Sequence, residues 1–198
     1  MNKKLRTLLK EVRNCRICEE HLPLGPRPVI QAHSKASVLI VGQAPGRKVH
    51  ETGIPFNDPS GVRLREWMGI DETVFYDAEK IALLPMGFCF PGTGKSGDLP
   101  PRPECKEAWR DSLLSCLPKI RLSLIIGQYA QKYHLGNNQK KTLTETVKAW
   151  RDYIGHGLIP LPHPSPRNNI WLRKNEWFED DVLPTLRSKV HKLIRDGK

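Results

Sequence analysis

Ser37–Gly46 reads SVLIVGQAPG, an unbroken apolar run that ends abruptly in a glycine-containing turn. Four consecutive β-branched or aliphatic residues, with no polar residue alternating among them, describe a strand covered on both faces rather than one with a wet side. Three further runs have the same character: Lys80–Leu84 (KIALL), Leu122–Gly127 (LSLIIG) and the weaker Gly157–Leu161 (GLIPL). Helical spacing lies around and between them. Leu5, Leu8, Leu9 and Val12 mark an N-terminal helix, and Leu64, Trp67 and Met68 mark a second that Asp58, Pro59 or Ser60 caps. Glu104–Leu117, Thr142–Trp150 and Phe178–Ile194 complete the set. Buried strands alternating with helices predict a three-layer α/β/α sandwich on a central, mainly parallel four-stranded sheet. The whole chain, residues 1–198, reads as one domain, with no repeat and no linker.

In such a fold, right-handed crossovers bring the loops that follow the strands to one edge, where ligands bind. Those segments are Gly42–Pro59, Pro85–Pro103, the stretch from Gln128 onwards, and Pro162–Asn169. Two are rich in chemistry. Gly42-Gln43-Ala44-Pro45-Gly46 lets the backbone turn sharply and approach a ligand, yet it matches neither a dinucleotide fingerprint nor a phosphate loop. It continues into Thr52-Gly53-Ile54-Pro55-Phe56-Asn57, where an aromatic ring could stack on a planar partner or fold back into the core. In Pro162-His163-Pro164-Ser165-Pro166-Arg167-Asn168, the prolines stiffen the loop and display a histidine, a serine, an arginine and an asparagine in fixed order.

Charge narrows the partner. Thirty-two Lys and Arg stand against 21 Asp and Glu, a formal +11, which creates a field attractive to polyanions such as nucleic acid. The apolar runs are too short to cross a bilayer and no apolar leader opens the chain, so a cytoplasmic protein without a membrane partner, monomeric by default, is expected. Five cysteines argue against a disulfide framework. Cys15 and Cys18 form a C-x-x-C pair, and Cys89 and Cys105 flank the Pro-rich stretch; four thiolates suit a [4Fe–4S] cluster or a structural zinc ion. Cys116 shares an apolar helix face with Trp109 and Leu113 and reads as core.

Together the two loops resemble the uracil-DNA glycosylase superfamily, from about Cys15 to Trp177. Gly-Gln-Ala-Pro-Gly followed by Thr-Gly-Ile-Pro-Phe is similar to motif one of the iron–sulfur type, as is the spacing of the second cysteine pair. His-Pro-Ser-Pro-Arg-Asn is similar to motif two of the single-strand-selective monofunctional type. The resemblance implies a monofunctional DNA glycosylase of base-excision repair that hydrolyses the N-glycosidic bond of a flipped, deaminated base, uracil by default. It implies catalytic roles for His163, Gln43 and Ala44, and base contacts from Phe56, Asn57 and Gly42. It further implies DNA contacts from Ser165, Pro166, Arg167 and Asn168, and a [4Fe–4S] cluster on Cys15, Cys18, Cys89 and Cys105, with zinc as the alternative.

Two departures stand out. Ala44 occupies the place where the best-known uracil enzymes carry a water-activating Asn or Asp, and Pro85 stands where iron–sulfur members carry an Asn that reads uracil. These departures favour, as the alternative, a catalytically weak iron–sulfur DNA-binding protein of the same fold; a protein of this fold with a small-molecule or nucleotide substrate ranks third. Arg47-Lys48-Val49-His50 only partly echoes the insertion of covalent uracil binders, so trapping by His50 is not expected.

Overall fold

The computed structural model describes residues 2–95 and 97–196. Its strands are β1 (Val38–Val41), β2 (Ile81–Leu83), β3 (Thr93–Gly94), β4 (Gly97–Asp98), β5 (Leu122–Ile126) and β6 (Leu158–Leu161). The helices are α1 (Lys3–Arg13), α2 (Arg47–Thr52), α3 (Pro59–Met68), α4 (Glu72–Phe75), α5 (Asp111–Ser115), α6 (Gly127–Leu135), α7 (Leu143–Lys148), α8 (Trp150–Ile154), α9 (Asn169–Lys174) and α10 (Leu183–Asp196). The central sheet has the order β2-β1-β5-β6 and every neighbouring pair is parallel, as expected from the four runs. β3 and β4 form a separate two-residue hairpin inside the Pro-rich loop.

Within each central strand successive side chains enter opposite layers. Leu39, Val41, Ala82 and Ile125 pack beneath α1, α5 and α6, together with Leu5, Leu9, Leu113 and Ala130. Val38, Ile40, Ile81, Leu124 and Ile159 pack on the other face against α3, α7, α8 and α10, through Leu64, Met68, Val147, Trp150 and Leu186. Burial on both faces accounts for strands that read as continuous apolar runs. The free side of β2 is met by Gln31, which bridges Leu83 and donates its side-chain amide to the carbonyls of Ile81 and Phe75. At the other margin, β6 carries Pro160.

Several segments differ from the sequence expectation: the helix expected over Thr142–Trp150 is split into α7 and α8, and that expected from Phe178 opens with a π-helical turn, Phe178–Val182, before α10. Gly42–Pro59 is not all loop, because α2 sits inside it. No loop follows β5: Ile126 is still extended, and Gly127, at φ +78°, makes the reversal that starts α6 at once. The helix entered at Glu104 begins with a π-helical turn, Lys106–Arg110, before α5. An extra residue in a turn rotates the faces that follow it, and Arg110 ends up 1 % exposed beneath the sheet edge. α3 and α7 start as anticipated: Asp58 accepts the N–H of Gly61 at 2.9 Å, and Thr142 and Glu145 form a reciprocal capping box.

Candidate active site

β1 lies between β2 and β5, so the connections leaving it and β5 diverge and open a crevice at the carboxyl ends of the strands. A cavity of about 540 Å³ lies there. It brings together the turn after β1, Pro85 after β2, the β4 end of the Pro-rich loop, and the segment after β6. Gly42, Gln43, Ala44, Phe56, His163, Ser165, Pro166, Arg167 and Asn168 all line it. Asn57 is the exception among the expected pocket residues. Its neighbour Asp58 lines the cavity instead, drawn inward by its role as the cap of α3.

Phe56 forms one wall. It is the only non-glycine residue with positive φ among the described residues, at +55°, a conformation that L side chains adopt only when their surroundings impose it. Those surroundings are visible. A Cβ on Gly61 would lie 1.7 Å from the Phe56 carbonyl oxygen, and the tip of the Phe56 ring is 3.5 Å from where a Cβ on Gly42 would sit. Edge-on contact with Phe75, centroid to centroid 6.0 Å, holds the other side of the ring. Phe56 is therefore both a cavity wall and a partner of the core, where the sequence left the two open.

Each loop of the cavity is gripped by a side chain that binds its main chain. Gln131, fully buried in α6, donates to the Leu161 carbonyl at 3.1 Å, just before His163. Asn168 donates to the His163 carbonyl at 2.7 Å, and Arg63 to the Ser165 carbonyl at 3.0 Å. Arg110 donates to the carbonyls of Leu84 at 3.3 Å and Pro85 at 3.0 Å. Gln43 reaches across the mouth and donates to the Leu99 carbonyl at 2.8 Å. Asn168 and Gln43 thus spend their side chains on the protein itself, a positioning role beyond the sequence expectation. Arg110, Gln131 and Arg63 were not foreseen, since nothing in a helix pattern says that a polar side chain will cap a distant carbonyl.

Electrostatics favour a neutral histidine. Burial pushes the His163 imidazole below its ordinary value, and the carboxylates of Asp58 and Asp98 oppose that shift without cancelling it. A neutral ring keeps one N–H to donate. His50 is buried beside Phe90, 6.2 Å between centroids, and does not line the cavity.

Four thiols gather at the base of the Pro-rich loop: Cys89 lies within it, Cys105 in the helix that follows, and Cys15 and Cys18 just after α1. Cys18, Cys89 and Leu22 share a small buried cluster, and Cys105 is buried in the first turn of its helix. Cys15, Cys18, Cys89 and Cys105 lie near enough for their charges to act on one another. Burial raises the Cys89 thiol to about 12 and the Cys105 thiol to about 11. The Trp109 indole donates to Cys15 Sγ at 3.3 Å and the Phe88 amide to Cys105 Sγ at 3.4 Å. Four free thiols in one neighbourhood, two of them accepting N–H bonds, fit the donor chemistry of an iron–sulfur cluster, whose sulfurs are similarly hydrogen-bonded. Among the described residues, no three His, Cys, Asp or Glu side chains converge on a single-ion position. Cys116 is plain core, as expected. No helix among the described residues is long and apolar enough to cross a membrane.

The chain is similar to known proteins over most of its length. The family profile of the uracil DNA glycosylase superfamily matches residues 30–187, a span that contains both cavity-lining motifs. The chain is also similar to a solution NMR structure from Methanosarcina acetivorans, that of a protein classed as a candidate uracil DNA glycosylase. The identity is 17 % and the TM-score 0.47, over 79 % of this chain and 92 % of that one. With its motifs assembled around one crevice and most of its length matched by the family profile, the chain belongs to the uracil DNA glycosylase superfamily.

Proposed function

We propose that this chain is a monofunctional DNA glycosylase that hydrolyses the N-glycosidic bond of a deaminated or damaged base, with uracil as the first substrate to test. The observation that supports it best is the single cavity joining Gly42, Phe56 and His163. A base rotated out of DNA is a flat ring that needs a stacking wall, polar groups at its edge and a donor where charge develops. Phe56 supplies the wall, and the absent side chain of Gly42 leaves room beside it. The turn Gly42–Ala44 presents main-chain groups to the base and to water.

Neutral His163 donates to a carbonyl oxygen of the base that becomes anionic as the bond breaks, an interaction that strengthens toward the transition state. Asn168 fixes the main chain of that histidine. Exposed Pro166 and Arg167, with Ser165, lie on the rim and face the DNA backbone, to which the formal +11 charge attracts the whole molecule. Pro85 offers no amide side chain, so the base edge is read by main chain and His163. The accepted bases should accordingly extend beyond uracil to hypoxanthine or xanthine.

Cys15, Cys18, Cys89 and Cys105 would hold a [4Fe–4S] cluster, with structural zinc as the alternative; the group braces the Pro-rich loop against the N-terminal segment and enters no chemical step. Iron and zinc analysis of purified protein, with its visible spectrum, separates the two. The activity is tested by base release from single- and double-stranded oligonucleotides carrying uracil, hypoxanthine or xanthine, read as alkali-labile sites. Release that His163→Ala abolishes is the expected result. Salt-sensitive binding with no release from any of them would favour the weak DNA-binding alternative that Ala44 and Pro85 suggest.

A further inference from the structure

We propose that Asp98, on the hairpin of the Pro-rich loop, is the catalytic carboxylate that accepts a proton from the attacking water and supplies what Ala44 lacks in the turn after β1. The assignment rests on the glycosylase reading above. Asp98 lines the same cavity as Ala44, Phe56 and His163, although it is more than fifty residues from Ala44 in the chain. Its Oδ2 lies 3.3 Å from where a Cβ on Gly46 would sit, so the carboxylate rests against the very turn that contains Ala44.

That placement is built rather than incidental. Gln43, adjacent to Ala44, donates to the carbonyls of Leu99 at 2.8 Å and Asp98 at 3.4 Å, fastening the end of β4 to the turn. On the other side, Nη1 of Arg167 is 3.4 Å from the Cβ position of Gly97, whose φ of +143° is open to glycine alone. The hairpin thus lies between both motif segments, fastened to the first by Gln43.

The cavity contains a second carboxylate, Asp58, but its Oδ1 is committed to capping α3 through the Gly61 N–H at 2.9 Å. The Asp98 carboxylate, by contrast, accepts only a long hydrogen bond from Thr93 Oγ1, at 3.5 Å, and forms no ion pair among the described residues. Both acids act on His163, which places each within electrostatic reach of the reacting centre.

In the step, the water oxygen bonds to C1′ of the deoxyribose as the C1′–N bond breaks. The bonding pair leaves with the base, whose anionic oxygen takes the His163 hydrogen bond. The water proton passes to the Asp98 carboxylate and from there to solvent, which returns one proton to the departing base. The products are the free base and an abasic sugar. The carboxylate also opposes the positive charge that the sugar acquires as the base departs.

The test uses whichever modified oligonucleotide the wild-type protein cleaves. Single-turnover rates are measured for wild type, Asp98→Asn, Asp98→Glu and Asp58→Asn, and binding is measured on the same sequence carrying a 2′-fluoro, non-hydrolysable nucleotide. General-base catalysis contributes about 10²–10⁴-fold. Asp98→Asn should therefore slow release by at least about a hundredfold, with affinity unchanged or tighter. Asp98→Glu should recover most of the rate, and Asp58→Asn should be milder than Asp98→Asn. Release by Asp98→Asn close to the wild-type rate, a loss that lies wholly in binding, or a larger loss in Asp58→Asn would each overturn the assignment alone. No release by the wild type would overturn the glycosylase reading and this assignment with it.

Discussion

The contact between Gly61 and Phe56 makes a sharp prediction for Gly61→Ala. In an ordinary exposed helix this change stabilises, because alanine exceeds glycine in helix propensity by about 1 kcal/mol. Here the new Cβ would lie 1.7 Å from the Phe56 carbonyl oxygen, 2.7 Å from its carbon and 2.9 Å from its Cβ. Contacts below 3.0 Å are essentially never seen for real Cβ atoms, so the Phe56 main chain must retreat by roughly 1.3 Å, the difference between 3.0 and 1.7 Å. The obstacle is backbone already held at φ +55°, not the far end of a flexible side chain. Overpacking of this kind costs about 1–3 kcal/mol, which outweighs the propensity gain. Net of that gain the cost reaches about 2 kcal/mol, so a chain of this length should melt up to about 8 °C lower, at about 2–4 °C per kcal/mol. Displacing the cavity wall by about 1 Å should cut base release by about a hundredfold, since misplacement on that scale is enough to spoil an aligned reaction. Differential scanning calorimetry and a single-turnover assay measure the two effects. An alanine variant as stable and as active as wild type would refute the reasoning, for it would mean that Phe56 is not held by Gly61.

Other consequences can be checked separately. Arg110→Met leaves the Leu84 and Pro85 carbonyls without their donor, at about 1–3 kcal/mol for a buried unsatisfied group, and should alter the ratio of uracil to hypoxanthine release because Pro85 lines the cavity; an unchanged ratio would deny it a role in base choice. Burial and the adjacent Arg110 lower His134 to about 4, from an ordinary value near 6.5. The folded state therefore prefers the neutral ring, so the stability this histidine contributes is complete above pH 6.5 and declines as pH falls from 6.5 toward 4. Melting temperatures between pH 7 and 5 should fall less steeply in His134→Gln than in wild type, and parallel curves would rule this out. Cys89→Ser should remove the visible iron–sulfur absorbance and lower both melting temperature and base release; a variant that retains full iron content would remove Cys89 from the ligand set.

Much of this was legible in the chain itself. Four apolar runs without alternation could only be doubly covered strands, and both motif segments stood where such a sheet presents its loops. The cavity chemistry was legible wherever it is contiguous in sequence, as in Gly42–Ala44 or His163–Arg167. It was not legible where it depends on contacts across the fold. Nothing near Asp98 distinguishes it from Glu104 or Glu107; only the reach of Gln43 brings it to the turn after β1. Arg110 carries no mark in the letters, because its burial follows from a π-helical turn that rotates it inward. Asn57 resembled a base reader, but the polar side chain that enters the cavity is that of the adjacent helix cap. The position of the Phe56 main chain is equally invisible in the letters, because it needs the room left by a glycine five positions later.

The two margins of the central sheet bear on solution behaviour. An open sheet normally ends in rows of unpaired N–H and C=O groups, a template on which another chain can add. At β2 that template is occupied by Gln31, which answers the outward carbonyls with its own backbone and amide. At β6, Pro160 has no N–H to offer an incoming strand. Growth of the sheet from copy to copy is therefore blocked at both ends by local chemistry. Association of folded molecules through the helical faces, or along the nucleic acid that the charge attracts, is left free by this arrangement.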